Sequence, residues 1–175
     1  FRGVKLNEIV ALVSKENGLD ESIATLEKLY RAEVARLFDA ELQPIAGAKA
    51  LLEQITLPVC VVSNGPVSKM QHSLGLTGLL SFFDTRLYSG YDIQRWKPDP
   101  ALIYHAAKEM QFVADHCILV EDSAAGTHAG IAAGIPVFYY CADPHNRPIH
   151  HPLVTMFDDM QQLPDLWRER DWHIT

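Results

Sequence analysis

Short apolar runs constrain this chain more than any other feature of its sequence. Pro58-Val-Cys-Val-Val62 and Cys117-Ile-Leu-Val120 are continuously apolar and lack the polar alternation of a half-exposed strand. Strands of that kind are covered on both faces, the condition met in parallel sheets. Pro136-Val-Phe-Tyr-Tyr140 has the same character, and residues 86–89 read as a weaker strand. Helical patterns fill the intervals, over residues 48–55, 68–76, 101–110, 124–133 and 159–168. Helices alternating with buried strands predict an α/β fold, a doubly wound parallel sheet with helices on both faces.

The first forty residues follow another rhythm. Leu6, Ile9, Val10 and Val13 make one apolar stripe at helical spacing. Ile23, Leu26, Leu29, Tyr30, Val34, Leu37 and Phe38 make a longer one. Gly18 ends the first helix, and Asp20 or Ser22 caps the second. Pro44 and Gly47 then break the pattern. The chain is expected to divide into a helical subdomain over residues 1–42 and an α/β core over residues 43–175. Tyr30 and Phe38 read as packing residues of the helical part. Leu163, Leu166, Trp167 and Trp172 read as a terminal helix docked on the sheet.

Composition excludes some functions. Fifteen Lys and Arg stand against 22 Asp and Glu, and a formal net charge of -7 speaks against a nucleic-acid binder. No apolar run approaches the roughly 18 residues of a membrane span. Cys60, Cys117 and Cys141 have no metal-type spacing and sit in or beside apolar runs. They are expected to be buried free thiols, consistent with a reduced, cytoplasmic setting.

Open parallel sheets bind ligands beyond the carboxyl ends of their strands. Three such places carry chemistry. Ser63-Asn64-Gly65-Pro66 follows the first run and precedes a helix, where free amides and the helix dipole suit a phosphate. The same residues also suit a plain turn and helix cap. In Arg95-Trp96-Lys97-Pro98-Asp99-Pro100, the prolines and a capping Asp99 place Lys97 on a rigid turn, as a phosphate partner or as a solvated lysine. Glu121-Asp122 follows the 117–120 run. Hard oxygen donors on a short loop suit Mg²⁺, although one acid, or Ser123, can cap the next helix. Together the three outline a phosphoryl-transfer site.

These residues resemble a known family. VVSNG at 61–65, KPDP at 97–100 and VEDSAAGTHAGIAAG at 120–134 are similar, in order, to motifs of the haloacid-dehalogenase-like hydrolases. The likeness is to the phosphatase branch that includes phosphoglycolate phosphatases and β-phosphoglucomutases. The resemblance implies a Rossmann-like core with a helical cap, and Mg²⁺-dependent hydrolysis of a small phosphorylated metabolite through an aspartyl-phosphate. It implies that Ser63 and the amides of Asn64 and Gly65 bind the phosphoryl group, and that Lys97 bridges it to the nucleophile. It further implies that Asp122 ligates the metal with support from Glu121. Phe1 to Glu41 would belong to the cap, with Arg2 and Lys5 facing substrate. A monomer is the default state of such an enzyme.

The sequence departs from the family at one point. The family's first motif, DxDGT, supplies the nucleophile and the acid/base, and no DxD occurs in this sequence. The expectation is a chain that starts within the cap and lacks the first, central strand. That strand would bury about five apolar side chains at roughly 1.5–3 kcal/mol each, on the order of 10 kcal/mol in all. Alone, these 175 residues are therefore expected to be inactive. A phosphomutase and a non-catalytic phosphate- or metal-binding remnant are the alternative readings. His145, His150 and His151 lie in a proline-rich stretch and read as loop, with a minor substrate role open to Asp143 and His145.

Overall fold

The computed structural model describes residues 6–174. Helices α1 (Leu6–Asn17) and α2 (Ile23–Glu41) pack on each other. The Ser22 hydroxyl caps α2 by accepting from the Thr25 amide at 3.2 Å. No α2 residue is buried, and Leu29 and Tyr30 are 60% and 49% exposed. The expected packing role of Tyr30 is therefore not seen. Phe38 is half-buried, with the Lys69 ammonium 5.6 Å above its ring. The backbone turns extended at Leu42, and helix resumes with α3 (Ala48–Gln54).

All strand pairings described are parallel, as the continuous apolar runs require. β1 (Val61–Ser63) pairs with β2 (Leu87–Ser89). β3 (Leu119–Glu121), β4 (Val137–Tyr140) and β5 (Val154–Phe157) form a second sheet in that order. The helices between them are α4 (Val67–Leu76), α5 (Leu80–Phe83), α6 (Gly90–Ile93), α7 (Ala101–Glu109), α8 (Ala124–Ala133) and α9 (Leu163–Arg168). Three of these elements were not expected. Helices α5 and α6 are single turns, too short to show a period, and β5 interrupts its apolar run with Thr155.

Helix α9 docks as expected. Trp167 is buried with Leu163, Phe138 and Phe157, and Trp172 packs against that cluster. A second cluster joins α7 to α8 through Ile103, Ala129, Ala133 and Ile135. Small residues let α8 lie close to the sheet: a Cβ on Gly130 would stand 2.4 Å from Val137 Cγ2. The three cysteines form no disulfide and are half-buried, which corrects the expectation of full burial. All three stand just outside the strands, one residue before β1, two before β3 and one after β4. Burial, and then the neighbouring Cys117, push the Cys60 thiol up to about 11. No helix among the described residues is long and apolar enough to cross a membrane.

Candidate active site

The parallel register brings β1 to its end at Ser63, opposite Ser89 of β2. Ser63 Oγ accepts from the Gly65 amide at 3.0 Å, and Ser89 Oγ donates to the Gly65 carbonyl at 2.8 Å. The loop is therefore held from both strands before α4 starts. Asn64 turns its side chain to Lys97, 33 residues away in sequence. Its Nδ2 donates to the Lys97 carbonyl at 2.9 Å, and its Oδ1 accepts from the Lys97 amide at 2.7 Å. A side-chain amide thus does for Lys97 what a neighbouring strand would do.

That clamp aims Lys97 into the core. Its Nζ donates to the Val62 carbonyl at 3.2 Å and to Glu121 Oε2 at 2.6 Å. The two side chains are 8% and 7% exposed, so water does not screen the pair. The other oxygen, Glu121 Oε1, accepts from the amides of Asp122 and Ser123 and from Ser123 Oγ, at 3.1, 2.9 and 2.7 Å. Burial pushes the Glu121 carboxyl up, but the Lys97 charge and the hydrogen bonds of Lys97 and Ser123 outweigh it and hold the group below its ordinary range. Gly126 makes the arrangement possible, because a Cβ there would fall 1.9 Å from Glu121 Oε2.

Neither acid of the pair caps α8. Ser123 does so, with its Oγ accepting from the Gly126 amide at 3.0 Å. Asp122 stands exposed at the strand end, next to the buried Glu121. Its carbonyl and that of Tyr140 both accept from Asn146 Nδ2 at 3.0 Å, so Asn146 ties the ends of β3 and β4 together. Sequence reading passed over Asn146. The signal was the turn Asp143-Pro-His-Asn146 beyond β4, closed by Asn146 N donating to Asp143 O at 2.9 Å. His145 and His150 lie in this loop region and His151 just beyond it, all exposed. No group of three or more metal-ligating side chains occurs among the described residues.

The donor chemistry fits a hard cation in part. Mg²⁺ takes one or two carboxylates and completes its shell with water and phosphate oxygens. Asp122 is an exposed acidic residue at the strand end, and both oxygens of the neighbouring Glu121 are held by protein donors. The fold gathers Ser63, Asn64, Gly65, Lys97, Glu121 and Asp122 at the carboxyl ends of β1 and β3. Arg2 and Lys5 lie outside the described residues.

Comparison with known proteins identifies the family. The model of the haloacid dehalogenase-like hydrolase family matches residues 1–140. A 6-phosphogluconate phosphatase of Escherichia coli (strain K12) is 60% identical over 175 residues, all of this chain and 79% of the relative. A plasmid-encoded phosphoglycolate phosphatase of Cupriavidus necator is 34% identical over 149 residues, 83% of this chain and 63% of the relative. Among solved structures, a haloacid dehalogenase-like protein from Agrobacterium tumefaciens superposes with a TM-score of 0.78 at 27% identity, covering 98% of this chain and 80% of that one. Its fold, its strand-end residues and these likenesses lead to one assignment: the chain belongs to the haloacid dehalogenase-like hydrolases.

Proposed function

We propose that this chain forms the phosphate-binding core and part of the cap of a Mg²⁺-dependent phosphatase for a phosphorylated sugar acid such as 6-phosphogluconate. The observation that carries the reading is the dry Lys97–Glu121 pair, held beside Ser63 where two parallel strands end. A buried lysine anchored on one side by a carboxylate presents a fixed positive charge to an incoming phosphoryl group. The substrate class is supported by the 60% identity to a phosphatase named for 6-phosphogluconate.

In this reading a carboxylate oxygen attacks phosphorus while the bond to the sugar oxygen breaks, and the departing alkoxide takes a proton. Water then attacks the acyl phosphate and releases inorganic phosphate, so one hard hydrolysis becomes two easier steps. We assign the attacking carboxylate to a segment preceding Phe1, because no DxD occurs in these residues. The division of the described strands into two sheets, β1–β2 and β3–β4–β5, supports the same assignment, as does Val120 of β3, which is 40% exposed. Lys97 steadies charge on the transferring oxygens, and Ser63 and the loop behind it position them. Asp122 is the residue we assign to hold Mg²⁺, which when bound neutralises phosphate charge. Glu121 acts by bracing Lys97 and the Asp122 loop.

Phosphate release from 6-phosphogluconate by the full-length protein tests the proposal. Release should require Mg²⁺, cease with a chelator, and fall to background in Asp122→Ala. Undiminished Mg²⁺-dependent release in that variant would remove Asp122 from the metal site. Isomerised sugar phosphate in place of free phosphate would make the protein a mutase.

A further inference from the structure

Two cations that the mechanism does not use stand on α2 and α4, which are in contact where the helical part meets the core. Lys69 stands in the first turn of α4, and its Cδ lies 3.6 Å from where a Cβ on Gly65 would be. The side chain therefore runs along the Ser63–Gly65 loop itself. Its ammonium sits over the Phe38 ring, 5.6 Å from the centroid, and Lys69 remains exposed to solvent. Arg31 reaches toward the same junction from α2, donating through Nη2 to Tyr91 Oη at 3.2 Å. Partial desolvation, and then the Arg31 charge, lower the Lys69 pKa.

Arg31 also lines a cavity of about 330 Å³ with Asn7, Glu27, Tyr91, Gln94 and Trp96. Three of these, Tyr91, Gln94 and Trp96, come from the segment before Lys97, and the Tyr91 and Trp96 rings stack edge to face with centroids 5.7 Å apart. That volume suits a small metabolite. The lining suits a hydroxylated chain: two amides, a carboxylate and a phenol for hydroxyl groups, and an indole for the carbon skeleton. Glu27 is the one acidic group of this lining and Arg31 its one cation, while Lys69 stands outside it on the Ser63–Gly65 loop side of the junction.

We infer that Arg31 and Lys69 form a second anion subsite, which takes the carboxylate of a sugar acid whose phosphate rests at the Ser63 loop. The inference rests on the phosphatase reading above and deepens it, because it explains how one site prefers a substrate with two anionic ends. A neutral sugar phosphate leaves both cations unanswered. The guanidinium fork matches a carboxylate, and the ammonium adds a point charge.

The test compares kcat/KM of the full-length protein for 6-phosphogluconate and for glucose 6-phosphate, in the wild type and in Arg31→Ala, Lys69→Ala, Arg31→Lys and Lys69→Arg. Loss of a charge-assisted hydrogen bond should lower the acid-to-neutral ratio about 10- to 100-fold in each alanine variant. The loss should lie mainly in KM, and the charge-keeping variants should recover part of the ratio. A ratio that stays put, whether both substrates suffer equally or neither suffers, overturns the subsite while leaving the phosphatase reading intact. A wild-type protein that releases phosphate from neither substrate overturns that reading and the inference with it.

Discussion

Lys97 Nζ and Glu121 Oε2 lie 2.6 Å apart, and neither side chain exposes more than 8% of its surface. The pair joins the turn after β2 to the end of β3, so it fixes the two sheet fragments relative to each other at the candidate site. Removing one partner strands the other as an uncompensated buried charge. Lys97→Met or Glu121→Gln should therefore lower the unfolding free energy of the full-length protein by about 3–5 kcal/mol, read from urea denaturation. The double variant Lys97→Met/Glu121→Gln should lose less than the two single losses added together. Strict additivity would show that the pair is not coupled.

The same carboxylate makes stability depend on pH. Its folded-state pKa is depressed, so the folded state binds its proton less readily than the unfolded chain. The contribution is complete above the unfolded value of about 4.3 and is lost as pH falls through the lower folded value. Urea midpoints should therefore drop below about pH 4.5, and Glu121→Gln should flatten that part of the curve. A wild-type curve as flat as that of the variant would contradict the shift.

Gly126→Ala should act on the site through packing alone. The new methyl would meet Glu121 Oε2 at 1.9 Å, against atoms held by Lys97 and Ser123. Overpacking of this kind costs about 1–3 kcal/mol and should pull Glu121 away from Lys97, so activity falls more than stability. Gly75→Ala in α4 is the control, since nothing lies within 4 Å of the added carbon. There the helix should gain about 0.5–1 kcal/mol. Equal effects at the two glycines would refute the packing account.

Asn64 should affect turnover through Lys97. Asn64→Ala removes two hydrogen bonds to the Lys97 peptide, each worth about 0.5–1.5 kcal/mol. We expect kcat to fall about tenfold with a smaller change in KM, because the lysine is displaced and the distal contacts are not. Asn64→Asp keeps the acceptor for the Lys97 amide and should fall between wild type and alanine. A change confined to KM would place Asn64 in substrate binding instead.

Much of this was legible in the linear sequence because it depends on local chemistry. Unbroken apolar runs at 59–62, 117–120 and 136–140 specify parallel strands, since polar backbone partners and apolar cover on both faces leave few other arrangements. The helix starts near Ser22 and Ser123 were legible too, although the sequence left Asp20 or Ser22, and an acid or Ser123, open as the caps and the structure selects the serines. The residues at the strand ends were legible for the same reason, because a strand's last residue is where its side chain leaves the sheet. Other relationships exist only once distant segments meet. Glu121 and Asp122 are neighbours in sequence, yet one is buried against Lys97 and the other faces solvent, because β3 ends between them. Asn64 reads as a turn residue until Lys97 arrives beside it, and Asn146 reads as loop until β3 and β4 align their last carbonyls. Arg31 and Lys69 sit 38 positions apart on different helices, and no periodicity relates them. The sequence by itself determined the strand type, the helix starts and the kind of chemistry at the strand ends. Tertiary packing decided which charges are dry, which are exposed and which meet, because burial and Coulomb interaction depend on distance in space and not on distance along the chain.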